Sequence, residues 1–367
     1  MIPYVEIIKK DTLQKIALIE PTDCWFELSY YEVGEFEVYC VASQANINSL
    51  QKGNYVKLPN KPYIWVIESL NYTYVEGVPM ISAKGYEGKW LLKKRVIRNP
   101  IELPNKVALA VEQLVYNNLG AGAATPTSDA RVIDGFSVYT SGITTTLTDT
   151  QGARANVMDF VNNLLKTYKL GSIVIYQNET LIYKVIQGQD LSDSIRFSQS
   201  LDNLLESSYL TDDSNVGTNA LVVSTVNDVD YWQVYDEGKT GVDRAEVLIN
   251  SNISTEYTPV GATEPVKLDL TNPTDLALYK SWLVQEGYTQ LANYVEKNEL
   301  SSKLDLINSI YEFEGDYNVG DLVGVIDEYF NISATARITK ITIKQDAEGY
   351  GIEADYLIEN IGGATND

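Results

Sequence analysis

Tyr317-Asn318-Val319-Gly320-Asp321-Leu322-Val323-Gly324-Val325, followed by Ile332 and then by Arg337-Ile338-Thr339-Lys340-Ile341, is the stretch that decides how this chain folds. Glycine reaches backbone angles closed to other residues, so Gly320 predicts a sharp turn before a strand. Asp321 places a short carboxylate where it can bond the turn amides, and Leu322 to Ile326 then enter a strand. Downstream, Thr339, Ile341 and Ile343 alternate with Lys340, Thr342 and Lys344. Ile352, Ala354 and Tyr356 alternate in the same way with Glu353 and Asp355. A period of two residues marks strands with one buried face.

The same period recurs at the other end of the chain. Glu35 to Cys40 alternates after Gly34, and Tyr63-Ile64-Trp65-Val66-Ile67 is a short apolar run after Pro59 and Pro62. A polar strand over Asn71 to Val75 and its return over Pro79 to Lys84 complete a β segment. Near residue 100 the period changes. Asn105 is placed to cap a helix whose apolar face is Val107, Val111, Leu114 and Val115, with Gly120 ending it and a small-residue loop over 120–130. Val157, Phe160, Val161, Leu164, Leu165 and Tyr168 carry a second helical face, which Gly171 is expected to stop. Ile173 to Tyr176 and Leu181 to Ile186 read as a hairpin around Gln177-Asn178-Glu179-Thr180. Ala220-Leu221-Val222-Val223 resumes β structure. Asn272-Pro273-Thr274-Asp275 opens a helical insert over about 272–299, with proline where a first helical turn tolerates it.

The expected fold class is therefore α+β, mainly β. Two β units, at about 1–97 and 200–361, flank a small α+β unit at about 98–199. Of the 367 residues, 44% are hydrophobic and 21% charged, enough to pack several cores. The 26 tyrosines against 7 phenylalanines suit β surfaces that pack and hydrogen-bond at once. No apolar run reaches the roughly 18 residues of a membrane span, and the start lacks the basic and apolar blocks of a signal peptide. Cys24 and Cys40 are too few for a disulfide scaffold, and both read as reduced, structural thiols. With 28 basic and 50 acidic residues, the net charge of −22 opposes sequence-independent binding to phosphate backbones.

Candidates for chemistry fall away one at a time. The chain has no histidine, which removes the histidine-dependent nucleophile systems and the usual zinc sites. Gly238-Lys239-Thr240 resembles the end of a phosphate-binding loop, but Gln233 stands where that loop needs glycine. Gly85-Tyr86-Glu87-Gly88-Lys89 also lacks the spacing. Asp212, Asp213 and Asn215, and then Asn227, Asp228 and Asp230, offer oxygens for calcium without the EF-hand pattern, and read as polar turns. Trp25, Trp65, Trp90, Trp232 and Trp282 are scattered, as packing residues are. No catalytic, cofactor-binding or metal-ligating residue is assigned. Gly320 and Asp321 are assigned as a structural turn.

The opening stretch resembles a pattern in siphophage tail-associated hub proteins: tyrosine, two residues, glycine-aspartate, an apolar residue and valine, then an arginine-isoleucine-threonine return strand. Gly34-Glu35-Phe36-Glu37-Val38, Gly53-Asn54-Tyr55-Val56-Lys57-Leu58 and Trp65-Val66-Ile67-Glu68 are similar, in order, to early strands of that family. Gly85 to Ile97 is similar to its glycine, leucine-leucine, arginine junction. Asn203 and Thr218-Asn219-Ala220-Leu221-Val222-Val223 are similar to the start of its second β unit. The family is similar in turn to the baseplate hub of contractile tails. The resemblance implies a homotrimer whose two β-barrel-like units per subunit build a pseudo-sixfold ring under the tail tube. Its implied partners are its own copies, a distal tail protein, the tail tube, the tape-measure protein and a fibre or spike. It implies a place in the virion after synthesis in the bacterial cytoplasm, with no sequence-specific nucleic acid partner and no stable membrane insertion. It implies no catalytic residue. Some members carry a C-terminal peptidase or lysin domain, which is expected to be absent here or to lie on another polypeptide. Two other readings stay open: a cell-surface or carbohydrate-binding tail module, which cell-wall binding would reveal, and a peptidoglycan-degrading enzyme, which zymography would reveal.

Overall fold

The computed structural model describes residues 2–124, 131–148, 150–304, 310–347 and 349–361. With 44% of the chain in strands and 18% in helices, it is mainly β. Thirteen strands share one sheet. Its main path runs Leu204–Asp212, Lys297–Leu304, Gly349–Ile361, Ile332–Asp346, Asp23–Ser29, Glu35–Val41, Val78–Glu87, Ile64–Val75, Tyr55–Lys57, Val5–Ile8 and Lys15–Ile19. Leu322–Asp327 pairs with the first part of Ile332–Asp346, and Arg196–Ser198 lies parallel beside Leu322–Asp327.

Strand Ile332–Asp346 unites the two ends of the chain. Ile332 to Arg337 pair with Leu322–Asp327, whereas Lys340 to Gln345 pair with Asp23–Ser29. The two expected barrel-like units therefore run into one another, and no closed barrel forms among the described residues. Phe26, Phe36, Trp65, Phe197, Ile341 and Tyr356 belong to one shared core.

The middle of the chain builds a second core. Helices Val107–Asn118 and Val157–Thr167 pack Val111, Leu114, Val161 and Leu165 against Tyr183 of the hairpin Gly171–Gln177/Thr180–Ile186. Asn178 and Glu179 make the hairpin turn at φ +50° and +57°, the left-handed pair that a two-residue turn matching strand twist requires. Asn156 caps the second helix by accepting the Met158 N–H at 3.0 Å. Asn105 does not cap the first. Lys106 takes the N-cap position without a side-chain bond, because extended pairing holds Asn105, whose carbonyl accepts the Leu147 N–H at 3.0 Å. The second helix ends before Gly171, with Lys169 in the left-handed region at φ +55°. Of the expected loop over 120–130, Ala121–Ala124 form a 3-10 turn and residues 125–130 lie outside the described residues.

A third core lies between helix Pro273–Leu291 and the three-stranded sheet Asn219–Val226, Val229–Asp236, Glu246–Asn250. Asn272 caps that helix, accepting the Thr274 N–H at 2.8 Å. It ends at Leu291, short of the expected insert boundary, because Lys297–Leu304 joins the large sheet. Gly287 continues the helix. A β-carbon there would lie 3.0 Å from both the Tyr235 Cβ and the Val222 Cγ2, so its absence lets the helix sit close on the sheet. Gly287→Leu is expected to lower stability by about 1–3 kcal/mol through overpacking, read as a shift in the urea midpoint.

Candidate functional site

The turn picked out by sequence lies where the chain's three main parts meet. Gly320 has φ +98°, and a β-carbon on it would sit 2.2 Å from the Tyr30 ring. Asp321 bonds two amides: its Oδ2 accepts the Asn318 N–H of its own turn at 2.8 Å, and its Oδ1 accepts the Gln189 N–H at 2.7 Å. The first bond is the one the sequence predicts. The second ties the turn to the middle of the chain. Gly188 makes this approach possible, since a β-carbon there would come within 1.7 Å of the Gly320 carbonyl oxygen.

Tyr30 fills the space that these glycines leave. Its hydroxyl donates to the Lys169 carbonyl at 3.1 Å and accepts the Gly188 N–H at 3.1 Å. Its ring also rests against Gly171, where a β-carbon would fall 2.3 Å away. Arg337 closes the far side. Its Nη1 donates to the Gly320 carbonyl at 2.6 Å, its Nε donates to Glu359 at 2.6 Å, and its guanidinium stands 5.7 Å from the Tyr30 ring centre. Burial pushes the Glu359 carboxyl upward, but the Arg337 and Lys169 contacts outweigh it and hold the group below the usual glutamate value. Tyr317, also from the opening stretch, is buried edge-on to Phe197 with ring centres 5.4 Å apart. Sequence reading did not single out Tyr30 or Gly188; no motif marks either residue.

A buried ion pair lies beside this junction. The Glu87 carboxylate accepts the Ser29 and Gly34 N–H groups at 3.1 and 3.2 Å, with Lys89 Nζ 3.7 Å away. Burial pushes the Glu87 pKa up and the Lys89 pKa down. The glycine-rich stretch around these two residues is thus an interior brace, not a phosphate cradle.

The other candidates settle into ordinary structural roles. Gly238 follows strand Val229–Asp236 and donates its N–H to Asp236 at 2.6 Å. Asp212 accepts the Ser214 N–H at 2.9 Å within a turn. Asn227 and Asp228 form a hairpin turn at φ +51° and +64°. Among the described residues, no group of three or more potential ligands gathers to hold a metal. Trp65 and Trp282 are buried, and Trp90 stacks on Tyr86 at 4.1 Å. Trp232 is 59% exposed. It shares the open face of the three-stranded sheet with Leu221, Val234 and Leu248. A second exposed apolar set, Tyr72, Tyr74, Val75 and Val78, marks the tip of hairpin Ile64–Val75/Val78–Glu87.

A cleft of about 290 Å³ opens between helix Val157–Thr167 and strand Glu246–Asn250. Glu286 lines it and accepts a hydrogen bond from the Ser251 hydroxyl. Burial pushes the Glu286 carboxyl up to about 7. No helix among the described residues is long and apolar enough to cross a membrane.

The fold is similar to that of phage tail proteins. The tail protein of Neisseria meningitidis MC58 is similar with a TM-score of 0.54 and 13% identity, over 98% of this chain and 97% of that one. The 43 kDa tail protein of prophage MuSo2 from Shewanella oneidensis is similar with a TM-score of 0.51 and 11% identity, over 97% and 98%. The chain belongs to the family of Siphovirus ReqiPepy6 Gp37-like proteins, whose model matches residues 11–355. It is thus a member of a siphophage tail protein family. No protein of curated function matches the sequence.

Two outcomes are expected from this geometry. Gly320→Val meets both the Tyr30 ring and a left-handed backbone, and is expected to cost about 3 kcal/mol or more, or to abolish soluble expression. Gly77→Ala, at φ +86° with nothing within 4 Å of the added carbon, is the control and should cost about 1 kcal/mol. Glu286 gives a pH signature. Its folded pKa lies above the unfolded one, so the stability linked to its proton is full below about pH 4.5 and is lost as pH rises through about 7. Glu286→Gln should therefore melt like the parent chain at about pH 4 and exceed it at about pH 8 by about 1–3 kcal/mol.

Proposed function

We propose that this chain is a non-enzymatic structural subunit of the tail tip. Three copies form a ring that closes the distal end of the tail tube and anchors the components through which DNA is ejected. The observation that supports this reading most is the full-length match, with the tail family over residues 11–355 and the tail-protein fold over at least 97% of the chain. The proposed partners are further copies, a distal tail protein, the tail tube, the tape-measure protein, and a fibre or spike. The proposed place is the tail tip of the virion, after synthesis in the host cytoplasm. Neither sequence-specific nucleic acid nor stable membrane insertion enters this reading.

Physical features agree with it. Among the described residues, the main path of the large sheet ends at Lys15–Ile19 and Leu204–Asp212, edges where a neighbouring copy could continue the hydrogen-bond ladder. Contacts of one surface with a different surface of the next copy close into a ring when the rotation is threefold. A net charge of −22 suits a passage that DNA slides through without sticking. The units 1–97, 98–199 and 200–361 remain the proposed division of the subunit.

One observation favours a second reading, a cell-surface or carbohydrate-binding tail module: an indole as exposed as Trp232 offers a stacking face. Light scattering of the purified chain across concentration decides between the two. A mass three times the 40.9 kDa chain is expected. A stable dimer at every concentration would overturn the threefold ring. Binding to host cell walls, lost in Trp232→Ala, would then establish the module.

A further inference from the structure

The cleft of about 290 Å³ between helix Val157–Thr167 and strand Glu246–Asn250 is lined by five carboxamides, those of Gln151, Asn163, Asn250, Asn252 and Gln290. Two are already engaged. Gln151 donates to the Ser254 carbonyl at 2.7 Å and accepts the Ser254 N–H at 3.2 Å, and Asn163 accepts from the Asn293 amide at 3.0 Å. The side chains of Asn250, Asn252 and Gln290 make no hydrogen bond among the described residues. Backbone adds to them. Strand Glu246–Asn250 is an edge of its three-stranded sheet, and its parallel neighbour bonds the Ala245 carbonyl and the Ser251 N–H. Alternate residues of a parallel pair face the neighbour, so Leu248 and Asn250 turn their backbone N–H and C=O groups to the open edge along the cleft.

Charge in the cleft is close to balanced. Arg154 and Asp159 are exposed, and each has a partner, the Arg98 carbonyl at 3.1 Å and Lys93 at 2.8 Å. Glu286, the remaining charged side chain of the lining, accepts from the Ser251 hydroxyl, and burial favours its protonated form, so an ionic ligand gains little there. A ligand hydroxyl serves either state, donating to the carboxylate or accepting from the acid. Carboxyl and carboxamide groups each present two polar atoms in one plane, a match for neighbouring hydroxyls on a ring. Phe160 and Tyr294 add aromatic surface to the same lining, against which the C–H face of such a ring can pack. Small-molecule sites begin at about 300 Å³, so the volume suits a ligand of about one or two rings. It does not suit an added peptide strand, which would run about 16 Å along the five-residue edge.

We propose that this cleft binds a neutral saccharide of one or two rings, with Glu286, Gln290 and Asn250 bonding its hydroxyls and Phe160 or Tyr294 packing against its C–H face. The site belongs to a single copy of the chain, so it rests on neither the ring nor the exposed face of Trp232.

The test titrates the full chain with cellobiose, maltose and N,N′-diacetylchitobiose up to about 10 mM, read by saturation-transfer NMR and calorimetry, with spermidine as a cationic probe. Three chains are compared: the parent, N250L/Q290L and W232A. Melting curves check folding; if the double variant melts early, Asn250→Ala, at an exposed position, replaces it. At least one sugar should bind the parent, and N250L/Q290L should weaken it about tenfold or more, or Asn250→Ala about threefold or more. Binding that W232A abolishes and N250L/Q290L leaves at parent strength overturns the cleft and moves the sugar to the open sheet face. Binding of spermidine without any sugar makes the cleft a cation site and overturns the saccharide. A parent chain that binds none of the three sugars overturns the proposal and leaves the ring standing.

Discussion

The structure depends on one packed ring. The Tyr30 side chain occupies a slot bordered by Gly171 and Gly320, and its hydroxyl is met by backbone groups of Lys169 and Gly188. Those residues come from the first, middle and last parts of the chain, so a single aromatic side chain fixes how the three parts sit. The slot tolerates no added carbon, and a buried phenol needs its hydrogen bonds, so the arrangement is defined by shape and by polarity together. Asp321 and Arg337 reinforce it with charge. Each uses its side chain to tie backbone that local structure leaves unpaired, and removing either side chain would leave those backbone groups without that partner.

The long strand Ile332–Asp346 is shaped to serve that slot. Its register shifts between Ile338 and Lys340, where the strand passes from one partner to another. The displaced residues are not idle. The Thr339 carbonyl accepts the Tyr30 N–H at 2.8 Å, and the Ile338 carbonyl accepts the Gly320 N–H at 2.7 Å. A bulge redirects a strand and frees backbone groups from the ladder, and here those groups bond the junction. This explains why two expected barrel-like units appear as one sheet. The strand that would have closed the last unit is long enough to pair with Asp23–Ser29 as well, so the last unit opens onto the first.

Elements with strong local rules were legible in sequence. The helical face from Val157, the cap at Asn272, the Asn178-Glu179 turn and the alternation of Ile352, Ala354 and Tyr356 all follow periodicity or backbone preference, and each appears as read. At the candidate site, Gly320 and Asp321 were legible because the missing β-carbon of glycine and the short carboxylate of aspartate are themselves turn chemistry. Tyr30, Gly188 and the second bond of Asp321 were not, because their meaning depends on partners more than 130 residues away along the chain. Asn105 failed as a cap for a related reason: a tertiary strand contact claims its backbone first. Local chemistry names the residues of a turn but not the segment that the turn meets.

The distribution of positive charge carries the argument to the surface. Lys89 and Arg337 are both buried, holding interior carbonyls and carboxylates, and Lys340 is partly buried between Glu27 and Asp355. Buried carboxylates offset them: Glu87, Glu112, Asp321 and Asp327 are buried along with Lys89 and Arg337, so the exterior keeps nearly all of the excess negative charge. In the proposed ring, copies of such a chain would repel at long range and associate only where local contacts outweigh that field. Backbone edges and exposed apolar residues supply part of the attraction without regard to charge. Orientation among the copies would then rest on features local to each contact, not on the long-range field.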